Sequence, residues 1–109
     1  MLFFVKGGPK EKEGPPPLPH EQLLEYVVKE WETVIDFQRQ GKILQAYGYV
    51  DQPGGFIIYD VSSREELDML LSKLPMHPFT EFEIIPLITA EQALERAKQG
   101  EVSGPPPKG

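Results

Sequence analysis

Between Lys42 and Val61 the chain reads KILQAYGYV, DQPGG, FIIYDV, and both alternating sets of side chains in the first run are apolar or aromatic: Ile43, Tyr47 and Tyr49 against Leu44, Ala46 and Val50. A strand with one solvated face alternates apolar with polar residues, so a pair lacking that alternation belongs to a sheet covered on both sides. Pro53 and Gly54 suit the centre of a type II turn, which makes the two runs a hairpin.

The flanking segments say what covers one side. Leu2 to Lys6 is a short strand, and Gly7 to Pro19 is a Pro/Gly-rich loop in which nothing regular is expected. A helix is predicted from His20 to Gln40, with Gly41 placed for a left-handed cap. After the hairpin, Ser63 and Glu66 form a capping box, and Leu67, Leu70, Leu71 and Leu74 mark a second amphipathic helix stopped by Pro75 and Pro78. FTEFEIIPLI is a fourth strand, and Thr89 with Gln92 opens a short helix to about Gln99. The order βαββαβ plus a C-terminal helix predicts an α+β, ferredoxin-like antiparallel sheet with both main helices on one face. The other face is left bare, and a second copy packed sheet to sheet covers it most economically, giving a homodimer or a higher homo-oligomer. At 109 residues one domain is expected, spanning 1–99, with 7–19 as its loop and 100–109 as a flexible tail.

Charge narrows the partners. Eleven Lys and Arg against seventeen Asp and Glu leave a net charge of -6, with no basic cluster, so neither nucleic acid nor an anionic membrane is expected to bind. MLFFV is too short for a signal peptide or a span, which predicts a cytoplasmic protein. There is no cysteine, and His20 and His77 alone make a poor metal site, so no metal is expected.

The first helix carries the most pointed feature. With Trp31 taken as the centre of its buried side, Leu24, Val27, Val28, Val34 and Ile35 fall within about 60° at 100° per residue. Glu30 then lies at about 100°, on the rim of the stripe beside Leu23 and Val34, although solvent was available a turn away. A carboxylate there either snorkels to water or sits in an apolar rim that raises its pKa toward the range useful for proton transfer.

MLFFVK, FQRQGK, YDVSSREELDMLLSKLPMHPF and EFEIIPL, spread from Met1 to about Leu87, together resemble the muconolactone Δ-isomerase family of the dimeric α+β barrel superfamily. The resemblance implies a homodimer that in some members assembles further, a role in aromatic catabolism, and no metal or organic cofactor. It also implies a double-bond shift in a small, unsaturated, acidic lactone, in which one carboxylate removes a proton to form a dienolate and returns it at another carbon. Aligned through QRQG, the family's acid/base residue falls on Glu30. Aligned through YDV, the family's lactone-holding Tyr and Asn fall on Pro53 and Gly55; Gly55 retains a backbone N–H for an oxyanion, and Pro53 has none.

Trp31, Tyr47, Tyr49 and His20 are further candidates for a pocket wall or mouth, against the alternative that strand tyrosines pack and an N-terminal helix residue is solvated. Tyr59 reads as packing and His77 as a loop residue at a subunit contact. Glu81 and Glu83 share a sheet face, and Arg39 pairs either with a substrate carboxylate or with a neighbouring acid. A non-catalytic ligand-binding or assembly module, or a cofactor-independent oxygenase, remains the alternative to the isomerase.

Overall fold

In the computed structural model, which describes residues 1–101, the elements are β1 (Leu2–Pro9), α1 (His20–Arg39), β2 (Ile43–Gly48), β3 (Gly55–Asp60), α2 (Arg64–Ser72), β4 (Thr80–Leu87) and α3 (Ala90–Lys98). The four strands form one antiparallel sheet in the order β2-β3-β1-β4, the ferredoxin-like arrangement the element order predicts. The expected tail falls, from residue 102 onward, outside the described residues. No helix among those described is long and apolar enough to cross a membrane.

Local signals close the helices where expected. Gly41, at φ +78°, ends α1 in the left-handed region, and the Lys42 N–H reaches back to the Phe37 carbonyl at 3.0 Å. The Ser63 hydroxyl accepts from the Glu66 N–H at 3.1 Å, while the Glu66 carboxylate accepts from Ser62 rather than Ser63 and holds Lys42 at 3.2 Å. That contact ties the start of α2 to the approach to β2. Thr89 and Gln92 make the full reciprocal capping box of α3.

The core lies on one face of the sheet, where Phe3, Val5, Ile43 and Tyr59 meet Val34 and Phe37 of α1 and Leu67, Leu70 and Leu71 of α2. On the opposite face Phe4 stacks on Phe56 at 5.5 Å, Tyr47 lies 5.3 Å from Phe56, and Tyr47 and Ile85 are 52% and 43% exposed. This is the bare apolar face the hairpin pattern requires.

Three sequence expectations need correction. A register shift between Ile43 and Gln45 takes Leu44 out of the ladder, so Ile43, Ala46 and Gly48 pair on the helix side while Gln45 and Tyr47 pair on the open side. The strict alternation that grouped Ile43 with Tyr47 therefore fails at one bulge. The strand β1 extends through Gly7, Gly8 and Pro9: β3 ends opposite Gly7, so Pro9 pairs only with Thr80 of β4, where a missing N–H is tolerated. A short 3-10 turn at Glu11–Glu13 follows, so the loop is less irregular than its composition suggests.

The third correction is the phase of α1. Its buried residues are Val34 and Phe37, whereas Leu24, Val28 and Ile35 are 49%, 55% and 45% exposed. At 100° per residue, Leu23, Val27, Val34 and Phe37 all lie within about 60° of Glu30, and Trp31 lies at about 100°. Glu30 occupies the middle of the inward face and Trp31 its edge, the reverse of the reading centred on the largest ring.

Candidate active site

A cavity of about 840 Å³ opens between α1, the helix-facing side of the sheet, the Pro-rich loop and the turn joining α2 to β4. Its walls are mostly hydrocarbon: Val5, Ile57, Trp31, Phe79 and Phe82 contribute, with Pro15 and Pro16 of the loop across one side. Glu30 is the one ionisable carboxylate among the described residues that line it.

Its half-buried side chain is held on one oxygen, where Oε1 accepts the Met76 N–H at 3.0 Å. The donor belongs to the turn after α2, itself fixed by the Thr80 hydroxyl donating to the Met76 carbonyl at 2.7 Å. Burial pushes the Glu30 carboxyl above the ordinary glutamate range; the Met76 N–H and the charge of His77 act the other way and only moderate the rise. His77, exposed in the short 3-10 turn His77–Phe79, has its ring 5.7 Å from that of Phe82, a residue of the cavity wall.

Tyr59 lies beneath this carboxylate, fully buried, and among the described residues its hydroxyl has no hydrogen-bond partner. Burial first, and the charge of Glu30 second, push its phenol far above the ordinary tyrosine range, so it stays a neutral O–H. It packs as the sequence suggests, but it packs against the site.

The remaining candidates divide. Trp31, Tyr49 and Gly55 line the cavity with Glu30, whereas His20 and Tyr47 do not: His20 is exposed at the first turn of α1, and Tyr47 belongs to the open sheet face. The ring of Trp31 lies over Gly48, where an added Cβ would sit 3.0 Å from Cζ2. Gly55 is a ladder residue paired with Gly7 and Gly48, so its N–H lies in the plane of the sheet and not toward the cavity. Among the described residues that line the cavity, Trp31, Tyr49, Gln38 and Gln52 carry side-chain donor groups. Neither amide, nor the Met76 N–H, carries a periodic signal; each is brought in by the loop or helix edge that supports it. Arg39 lies outside the cavity, and Glu83 stands opposite Lys6 across β1 and β4. Among the described residues no cluster of three or more His, Asp or Glu gathers to hold a metal ion.

A neutral-to-anionic carboxyl set in hydrocarbon, with oxygen and nitrogen donors at a few points of the wall, can take up and return a proton. A family model described as muconolactone delta-isomerase matches residues 1–93. The muconolactone Delta-isomerase of Cupriavidus pinatubonensis (strain JMP 134 / LMG 1197) is 33% identical over 87 residues, 80% of this chain and 91% of that protein. That of Acinetobacter baylyi (strain ATCC 33305 / BD413 / ADP1) is 32% identical over 87 residues, 80% of this chain and 88% of that one. A crystal structure of muconolactone isomerase superposes with a TM-score of 0.70 at 25% identity, covering 82% of this chain and 90% of that one. The 5-chloro-2-hydroxyhydroquinone dehydrochlorinase of Burkholderia phenoliruptrix AC1100, in complex with 2,5-dihydroxybenzoquinone, shares the fold with a TM-score of 0.63 at 12% identity, covering 84% of this chain and 98% of that one.

Proposed function

The chain belongs to the muconolactone delta-isomerase family, and from that premise we propose that it catalyses a proton-transfer isomerisation of an unsaturated lactone or related carbonyl compound, with Glu30 as the base and acid. The observation that carries this reading is the half-buried Glu30 carboxylate in an apolar cavity, held by a single N–H from Met76. In the first step the ionised carboxylate removes a proton from carbon conjugated with the carbonyl, and the electron pair moves into a dienolate. In the second, the same carboxyl returns the proton at another carbon. Substrate and product are isomers, the enzyme ends as it began, and no redox partner or cofactor is needed. The Trp31 indole N–H, the Tyr49 phenol and the Gln38 and Gln52 amides are the side-chain donors we assign to the dienolate oxygen, since all four residues line the cavity. Trp31 offers its ring as a wall against which a flat substrate rests.

The working unit we propose is a cytoplasmic homodimer or larger homo-oligomer that joins through the open sheet face, where Phe4, Phe56 and Tyr47 form a contiguous aromatic patch. Conversion of muconolactone followed by ultraviolet absorbance tests the activity. The wild-type chain is expected to turn it over and Glu30→Gln to lose at least about 100-fold while remaining folded. A silent wild type, with aromatic quinols under oxygen equally unchanged, would reject catalysis in favour of a ligand-binding module.

A further inference from the structure

Glu30 is held from the turn between α2 and β4, and the hydrogen bonds of that turn run on to the sheet. The His77 N–H donates to the Leu74 carbonyl at 3.0 Å and Met76 sits at φ -86°, ψ 3°, so Leu74 to His77 has the form of a type I turn with Pro75 at its second position. In such a turn the backbone bond joins the first and fourth residues, which leaves the N–H of the third, Met76, in need of a partner from elsewhere. Glu30 Oε1 accepts it at 3.0 Å; among the described residues no hydrogen bond holds Oε2. The Met76 carbonyl accepts twice, from the Phe79 N–H at 2.9 Å and from the Thr80 hydroxyl at 2.7 Å. Phe79 belongs to the turn itself, whereas Thr80 opens β4 and pairs with Pro9 of β1. A Cβ at Gly7 would lie 3.2 Å from Thr80 Cγ2, so the methyl fills the space that glycine leaves and fixes the rotamer that aims the hydroxyl at Met76. Thr80 lines the cavity, but its hydroxyl proton is directed to Met76 and not to a ligand.

We propose that Thr80 is a positioning residue for Glu30: its hydroxyl sets Met76 against the sheet, so that the Met76 N–H holds Oε1 and leaves Oε2 as the oxygen that takes and returns the proton. This rests on the reading of Glu30 as acid and base. Placement matters because a proton passes only over hydrogen-bond distance, and a misplacement of about 1 Å costs up to about 100-fold. Loss of the hydroxyl alone leaves the Met76 carbonyl paired with Phe79, so the turn stays closed and the effect falls on placement, not on folding.

Two variants separate the arms of this side chain: Thr80→Val keeps the branched shape and removes the hydroxyl, and Thr80→Ser keeps the hydroxyl and removes the methyl. The Glu30 carboxyl is followed by NMR through a pH titration with no ligand added, and conversion of muconolactone gives kcat and KM. The Met76 N–H lowers the Glu30 pKa, so a loosened donor in Thr80→Val should move the carboxyl's titration to higher pH. The same variant should lose about 10-fold in kcat with KM nearly unchanged, while Thr80→Ser stays near wild type in both readouts. His77 from the turn and Tyr59 from β3, the other titratable groups coupled to Glu30, are present in every variant and cancel in the comparison. The proposal is overturned if Glu30 titrates in Thr80→Val where it does in wild type, or if Thr80→Ser is the more impaired variant, which would make packing of the methyl the role of Thr80. If the wild type converts no muconolactone while the Glu30 titration depends on the hydroxyl, the isomerase reading fails and the positioning of Glu30 stands. If Glu30→Gln abolishes turnover while Thr80→Val changes neither readout, the reverse is true.

Discussion

At Glu30 two effects compete: loss of water raises the carboxyl's pKa, and the Met76 N–H, with the charge of His77, lowers it, and burial wins. The base must be ionised to work, so the acid limb of the pH–rate profile should rise above the ordinary glutamate range; a limb at or below that range would contradict a raised Glu30. Stability follows with the opposite sign. Below the ordinary glutamate range the folded and unfolded chains both carry the proton, and the group contributes nothing. As pH rises through the window up to the raised folded value, the unfolded chain ionises first and the native state loses stability. Glu30→Gln keeps an acceptor for Met76 without that loss, so at neutral pH it should be at least as stable as wild type, with the advantage vanishing in acid; denaturant titrations at several pH values check this. Tyr59→Phe removes a buried hydroxyl that has no partner, so it should leave the protein as stable or up to about 1 kcal/mol more stable. A loss beyond about 1 kcal/mol would mean that the hydroxyl is satisfied in solution.

At the level of elements, what was legible in the sequence was local. Ser63, Thr89 and Gly41 announce helix ends because a cap is made within a few residues, and the βαββαβ order follows from periods of 2 and 3.6. What was not legible was phase. A helix wheel centred on Trp31 assumes that the largest ring marks the core, but the ring sits over a glycine at the helix edge, and the sheet instead selects the Val34–Phe37 side, which carries Glu30 inward. Likewise one bulge at Leu44 exchanges the faces of β2, and no pattern of residue types marks it. The Met76 donor comes from a turn whose geometry depends on Thr80. The hairpin shows how tightly such contacts bind sequence to site: a Cβ at Gly55 would collide with the Tyr47 carbonyl, and one at Gly54, where φ is +109°, with the Gly7 carbonyl. Gly55→Ala should therefore cost about 1–3 kcal/mol in chemical denaturation and disturb the cavity floor, whereas a neutral outcome would show that the hairpin gives way easily.

For the whole molecule, an apolar sheet face and an apolar ridge along α1 are left over once the core is complete. The ridge of Leu24, Val28 and Ile35 is separate from the sheet face, and its Ile35 also borders the cavity. Sedimentation equilibrium at micromolar concentration should find a dimer or larger species, reduced toward monomer by Phe56→Lys; a clean 12.3 kDa monomer for the wild-type chain would contradict the assembly. Assembly, cavity and loop matter to the chemistry only if one carboxylate moves the proton, and solvent exchange reads that step without regard to the natural substrate. In deuterated water the wild-type protein should catalyse exchange of the acidic C–H of muconolactone methyl ester, followed by proton NMR, and Glu30→Gln should slow it by at least about 100-fold. Exchange at the same rate in both proteins, or no catalysed exchange by the wild type, would contradict the assignment of Glu30 as the proton-transfer group.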